Sequence, residues 1–467
     1  MTDHALARDA AVRSIAVNPR RILLAAMAAV FAILALTGGL RPSLTPDTPG
    51  YLSPWTWSEL WGGRRTPFLG FLLAPFGDDF SLYPTLIVGL FFAAAYYLFG
   101  SLVRFGVSER AALALTLPLL VSNSLVRYAS DVHAEFPSIV LLLYALAELL
   151  RLAADARPRP WRYAAFCAAL GMAYLMRPSL LPFLIVMPAL ALSLGFVRER
   201  RWRLRRTAVI LALSVAPFLL VSTIRYRAVN DFNVVSFGGF TLGGIASSLL
   251  NESIFDRLTP EHRELARAVL DGREAMVSSG AISPMVIDYK IRQRSYSRTA
   301  RSYFDILASN YDELLYKIVV RERRPGESWV EFNKRVMAFS VAVIRESPKG
   351  YAMWIVGAFR SAVGSATAHN IAFAAGAVLL AGIYFPLLFT DRVPRLTFPR
   401  LDIPVLVLVT LGFTAGAGTL PIVAAYPLIR YVSTAALFLP AMLYYLAISL
   451  ALEGLGRPRS PARGASV

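Results

Sequence analysis

The chain is punctuated by apolar runs of about 17–24 residues, each long enough to cross roughly 30 Å of hydrocarbon as a helix. Such runs must satisfy their backbone hydrogen bonds within themselves, so the expected fold is an all-α integral membrane protein. Composition agrees: of 467 residues, 56% are hydrophobic and 17% charged, against about one quarter charged in soluble domains. These values set aside a soluble enzyme, a disordered chain and a collagen. The single cysteine, Cys167, sets aside a disulfide scaffold and reads as a small apolar packing residue.

A formal charge of +18 could suggest a nucleic-acid partner, but that requires basic residues gathered on one soluble module. Here they cluster at the ends of apolar runs, and the four lysines (Lys290, Lys317, Lys334, Lys349) share one polar stretch. No nucleic acid is expected. The runs predict ten spans, near 22–40, 82–103, 110–126, 136–152, 161–176, 178–197, 207–225, 370–390, 403–425 and 431–452. The first is read as a membrane anchor rather than a signal peptide. Arginine is dense in alternate loops, from Arg20 and Arg21 through Arg198–Arg206 to Arg457, which places those loops and both termini in the cytoplasm of a multi-pass inner (plasma) membrane protein. The Arg198–Arg206 run reads as a topology anchor at anionic headgroups.

Two outward loops are too long to be connectors, 41–81 and 226–369. The chain is thus expected to divide into a seven-span module at 1–225, a mostly helical extracytoplasmic domain at 226–369, and a three-span module with a cytoplasmic tail at 370–467. The first loop carries Trp55, Trp57 and Trp61 between apolar stretches too short to span, which predicts interfacial helices. In the second, PEHRELARAVLDG from Pro260 and the stretch around Asp312–Lys317 have helical periodicity. The segment from Tyr351, broken by Arg360 and glycines, reads as an interfacial helix, with an eleventh span as the alternative.

Span interiors hold almost no ionisable group, and Glu148 is expected to pair with Arg151 one helical turn on. A proton-coupled transporter usually needs carboxylates near the midplane, so the candidate chemistry lies in an outward cleft at membrane level. Its acids are Asp47, Asp131 and Glu135. Asp47, in Thr-Pro-Asp-Thr-Pro, has turn capping as its plain alternative, and Asp131 and Glu135 precede a helix whose amino terminus favours acids. His133 stands between the two acids, but with four histidines in the chain no cluster forms; a divalent metal would rest mainly on carboxylates, and no cofactor is expected. Arg64, Arg65, Arg127, Arg177 and Arg430 are the outward arginines, with solvated loop charge, a snorkelling hairpin tip (Arg177) and a span anchor (Arg430, Tyr431) as their plain alternatives. Tyr51, four residues after Asp47, shares its face on a helical turn.

Five segments carry a resemblance: PDTPGYL (Asp47, Tyr51), GRRTPFLGFLL (Arg64, Arg65), SDVHAEFP (Asp131, His133, Glu135), LMRPS (Arg177) and IRYVS (Arg430, Tyr431). In this order, over roughly residues 20–225 and again at the last span, the sequence resembles the polytopic GT-C glycosyltransferases that use polyprenyl-phosphate sugars, including lipid A aminoarabinose transferases and protein O-mannosyltransferases. The resemblance implies a GT-C-like helical bundle and an inverting transfer from a polyprenyl-phosphate sugar to a glycan, glycolipid or protein acceptor. Asp47 would be the base, with Asp131 or Glu135 as a second acid. Many relatives have two adjacent acids in the first loop, whereas Asp47 is followed by Thr-Pro-Gly-Tyr. The glycine-rich SFGGFTLGGIASSLL from Ser236 lacks the GKS or GKT ending of a nucleotide phosphate loop. The alternatives are a ligase or polymerase of lipid-linked glycans and a lipid or glycan flippase.

Overall fold

The computed structural model describes residues 18–52, 56–280, 318–390, 393–394, 396–425 and 429–455. The Asp312–Lys317 stretch, Trp55 and the side chain of Trp57 lie outside the described residues. Regular structure there is helical, with one isolated bridge between Ser43 and Asp131. Eight described helices are long and apolar enough to cross a membrane by length and composition: Pro19–Leu36, Tyr83–Phe105, Glu109–Tyr128, Glu135–Ala154, Pro178–Glu199, Leu204–Val229, Ile371–Phe389 and Asp402–Val423. This is the architecture of a helical protein with several candidate membrane spans.

One of the ten expected spans takes another form. The 161–176 run forms the expected helix, Pro160–Met176, of 17 residues. The 431–452 run is broken into Ile429–Ala435 and Ala441–Leu455 by turns at 436–440; Pro440, which has no amide hydrogen to donate, ends that break. The third run bends too, passing through a 3₁₀ segment at Leu117–Val121 that contains Pro118. The periodic segment from Pro260 is a helix to Ser278, and the segment from Tyr351 lies within one helix, Pro348–Ala368.

Local signals set the helix ends. The Asn18 carboxamide accepts the Arg20 amide at 2.9 Å, with Pro19 in the first turn. Ser328 and Glu331 form a reciprocal capping box. Gly106 stops Tyr83–Phe105 at φ +109°, a conformation that costs a side-chain-bearing residue energy.

Glu135–Ala154 is the central helix, with 83% of its apolar window buried, whereas Ile371–Phe389 is peripheral at 11%. The central helix packs on Tyr83–Phe105 and Pro160–Met176. Lipid is as apolar as the helices, so their association rests on close packing and polar contacts. Asp402, fully buried, accepts the Ser108 amide at 2.9 Å and the Tyr445 hydroxyl at 2.7 Å, joining two helices of the 370–467 segment to the start of Glu109–Thr116. At one end of the central helix, Arg206 donates to the Leu152 and Ala156 carbonyls at 2.7 and 3.1 Å. Part of the expected headgroup anchor therefore caps a helix carboxyl end.

Glu148 does not pair with Arg151. It accepts from the Tyr97 hydroxyl and lies 3.9 Å from Arg162, while Arg151 donates to Ser101 at 2.7 Å and stacks on Tyr97. The glycine-rich segment from Ser236 packs: a Cβ on Gly239 would stand 2.1 Å from the Asn333 carbonyl oxygen and 2.7 Å from the Met337 amide, both backbone atoms of Trp329–Glu346. Gly239→Ala is expected to destabilise the protein by about 1–3 kcal/mol, as overpacking does, read as a lowered thermal midpoint in detergent or lipid discs.

Candidate functional site

The first long loop is docked on the segment before the central helix by backbone pairing. The Ser43 amide donates to the Ser130 carbonyl and the Val132 amide to the Ser43 carbonyl, both at 2.9 Å. The Thr48 hydroxyl, buried, donates to the Val132 carbonyl at 2.9 Å, while its oxygen also receives the Thr45 amide at 2.8 Å. Thr48, rather than Asp47, thus closes this turn. The Asp47 carboxylate accepts from Arg65 through Oδ1 and lies 3.7 Å from Arg430 Nη1 through Oδ2.

Glu135 occupies the first turn of the central helix, whose N-cap, Ala134, makes no side-chain capping bond. Its Oε1 lies 3.6 Å from Arg430 Nε and 3.9 Å from Arg177 Nη2; its Oε2 lies 3.0 Å from His133 Nδ1. His133, 2% exposed, has Nε2 3.4 Å from Asp131 Oδ2. Arg177 is no snorkelling tip: it is 6% exposed, held by the Ala173 carbonyl through its amide and by Thr434 Oγ1 at 3.2 Å through its guanidinium. Arg177 and Arg430 both lie over the Tyr431 ring, at 5.0 and 5.1 Å, within cation–π range.

These groups surround a cavity of about 310 Å³. Asp47, Tyr51, Arg64, Arg65, Glu135, Arg177, Arg430 and Tyr431 line it, with apolar walls from Leu181, Val234, Val235, Phe237 and Leu420–Pro421. Its charged wall carries four arginines and two carboxylates, so it favours an anion. Burial pushes the Tyr51 phenol up to about 12, so it is neutral at physiological pH. Arg64 is exposed at the rim, its guanidinium 5.1 Å from the Trp329 ring. Arg127, Asp131 and His133 do not line the cavity: Arg127 is exposed, and the other two stand behind Glu135. Among the described residues no three His, Cys, Asp or Glu side chains form a group suited to a metal ion.

The sequence reading missed Thr66, Asn233, Phe237 and Thr241 on the cavity wall. It also missed Arg225, 2% exposed, which donates to the Trp61 carbonyl at 2.7 Å, the Asn233 carbonyl at 2.8 Å and Ser236 Oγ at 2.9 Å, and pairs with Asp231 at 3.2 Å. It ties the first long loop to the wall after Leu204–Val229. An arginine at the end of an apolar run, six residues before an aspartate, was the available signal. In comparisons with known proteins, no family model, no curated protein and no solved structure matches the chain.

Arg225→Leu leaves the buried Asp231 with the Asn233 and Ser236 donors but without its counter-charge and is expected to destabilise the protein by about 3–5 kcal/mol. Adding Asp231→Asn should recover part of the loss, checked by thermal midpoints of the two variants and the wild type.

Proposed function

We propose that the protein is a GT-C-type glycosyltransferase that moves a sugar from a polyprenyl phosphate to an acceptor hydroxyl at the outer face of the membrane. The observation that carries this reading is the cavity in which Asp47 meets Arg65 and Arg430, with Arg177 and apolar residues also lining it. A phosphate on a lipid chain needs both kinds of surface. The motif order from PDTPGYL to IRYVS supports the same class.

In this reaction Asp47 takes the proton of the acceptor hydroxyl while that oxygen bonds to the anomeric carbon from the face opposite the phosphate. The bond from the anomeric carbon to the phosphate oxygen breaks, its electron pair leaves with polyprenyl phosphate, and the configuration inverts. The transition state has oxocarbenium character. The leaving phosphate gains negative charge, and arginine meets that need because its planar fork binds phosphate oxygens in pairs and stays charged. Arg430 lines the cavity with 31% of its side chain exposed, so its guanidinium can meet such an oxygen. The domain at 226–369 would contribute to acceptor choice through Trp329, on which Arg64 rests.

The test is release of polyprenyl phosphate from synthetic polyprenyl-phosphate sugars by the purified protein in lipid discs, with and without glycan, glycolipid and protein acceptors. Asp47→Asn should lower sugar-dependent release at least a hundredfold, since a positioned base contributes roughly 10²–10⁴-fold. Release that survives the substitution removes Asp47 from the role. A wild-type protein inert toward every donor refutes the reading and advances the ligase and flippase alternatives.

A further inference from the structure

Glu135 stands between two arginines without closing on either. Its Oε1 is 3.6 Å from Arg430 Nε and 3.9 Å from Arg177 Nη2, beyond the 2.7–2.9 Å of a charge-assisted hydrogen bond. A carboxylate 12% exposed beside two guanidiniums should be drawn into contact with them, so something holds it back. His133 does this from the far side, where its Nδ1 lies 3.0 Å from Glu135 Oε2. The imidazole is itself fixed: it is 2% exposed, its Nε2 lies 3.4 Å from Asp131 Oδ2, and its ring lies 6.3 Å from that of Tyr128. The Glu135 amide also points at Nδ1, at 3.3 Å. Nδ1 cannot accept from the amide and donate to the carboxylate at once, and the shorter contact is the one to the carboxylate.

We infer that His133 is a positioning residue that withholds Glu135 from Arg177 and Arg430, keeping both guanidiniums available to an anionic ligand. This rests on the phosphate-binding part of the proposed function. His133 lies outside the cavity and touches no substrate; it acts through Glu135. The geometry is consistent with it: Arg430 Nε lacks a hydrogen-bond partner among the described residues although a carboxylate oxygen is 3.6 Å away. If the restraint on Oε2 is removed, the carboxylate can swing onto the arginines and compete with the ligand. Outer-shell partners that orient a ligating group elsewhere cost about 10–100-fold in affinity when removed.

The experiment compares binding of farnesyl phosphate and of farnesol to the full chain in lipid discs by calorimetry, for the wild type, His133→Phe, His133→Asn and Asp131→Asn. The wild type should bind the phosphate at least tenfold more tightly than the alcohol. His133→Phe, which keeps a ring but no donor, should weaken farnesyl phosphate about tenfold and leave farnesol unchanged. His133→Asn, whose amide can donate to Oε2, should stay within about threefold of the wild type, and Asp131→Asn should show a smaller loss in the same direction as the phenylalanine variant. In transfer assays the loss should appear in the donor KM rather than in kcat. A folded His133→Phe protein with the wild-type phosphate preference overturns the inference and leaves the proposed function standing; so does a folded His133→Asn protein as weak as His133→Phe. A wild type with no preference for the phosphate overturns the phosphate cradle and the inference together. If His133→Phe does not fold, His133→Asn and Asp131→Asn decide: a drop of tenfold in the first or no change in the second overturns it.

Discussion

Arg430 is the point on which the arrangement of the cavity depends. It lies 3.7 Å from Asp47 and 3.6 Å from Glu135 and joins three parts of the chain: the first long loop, the start of the central helix and the short helix Ile429–Ala435. Opposite charges at such separations inside a poorly solvated site attract more strongly than they would in water. Without Arg430 the two carboxylates would repel each other across the cavity. Arg65 and Arg177 extend the alternation, so each acid on the wall faces at least one guanidinium. The backbone pairing of Ser43 with Ser130 and Val132 brings the acids near enough for a single arginine to serve both.

Elsewhere a few polar contacts join helices that lipid gives little reason to associate. Asp402 binds Ser108 and Tyr445, and Asn123 receives the Ile371 amide at 3.1 Å while donating to the His369 carbonyl at 2.5 Å. Both tie the C-terminal helices to the N-terminal bundle. Close approach through glycine supplies the shape between them, as where a Cβ on Gly416 would stand 2.5 Å from the Phe183 ring. The parts of the cavity wall from Leu420, Pro421, Arg430 and Tyr431 are therefore held by contacts remote from the cavity.

Helix existence was legible because a run of apolar residues is a strong signal of one-dimensional pattern. Helix continuity was not: the same apolarity covers the break before Pro440 and the 3₁₀ bend at Pro118, where chain direction depends on packing. For the cavity, the chemistry of individual residues could be read, since Asp47 and Arg65 lie in the first long loop and Arg177 and Arg430 stand at the ends of apolar runs. Their pairing could not. Arg127 and Arg177 look alike in sequence, each beside an apolar run, yet one is exposed and the other buried against Thr434 and Tyr431. Glu148 shows the same limit, because spacing points to Arg151 and the fold supplies Tyr97 and Arg162. Arg225 escaped notice because two of its four partners are backbone carbonyls, which no side-chain motif records.

Arg430 follows Asp47 in the chain by about 380 residues, and this separation orders events during biosynthesis. At roughly 5–20 residues per second, the ribosome takes on the order of 20–80 seconds to add that length. Throughout this interval Asp47 has Arg65 within its own loop, while Glu135 and Arg177 lack the guanidinium that unites them with it. The nascent bundle is therefore assembled around an incomplete charge arrangement, and the cavity closes only after the segment that carries Arg430 has been made.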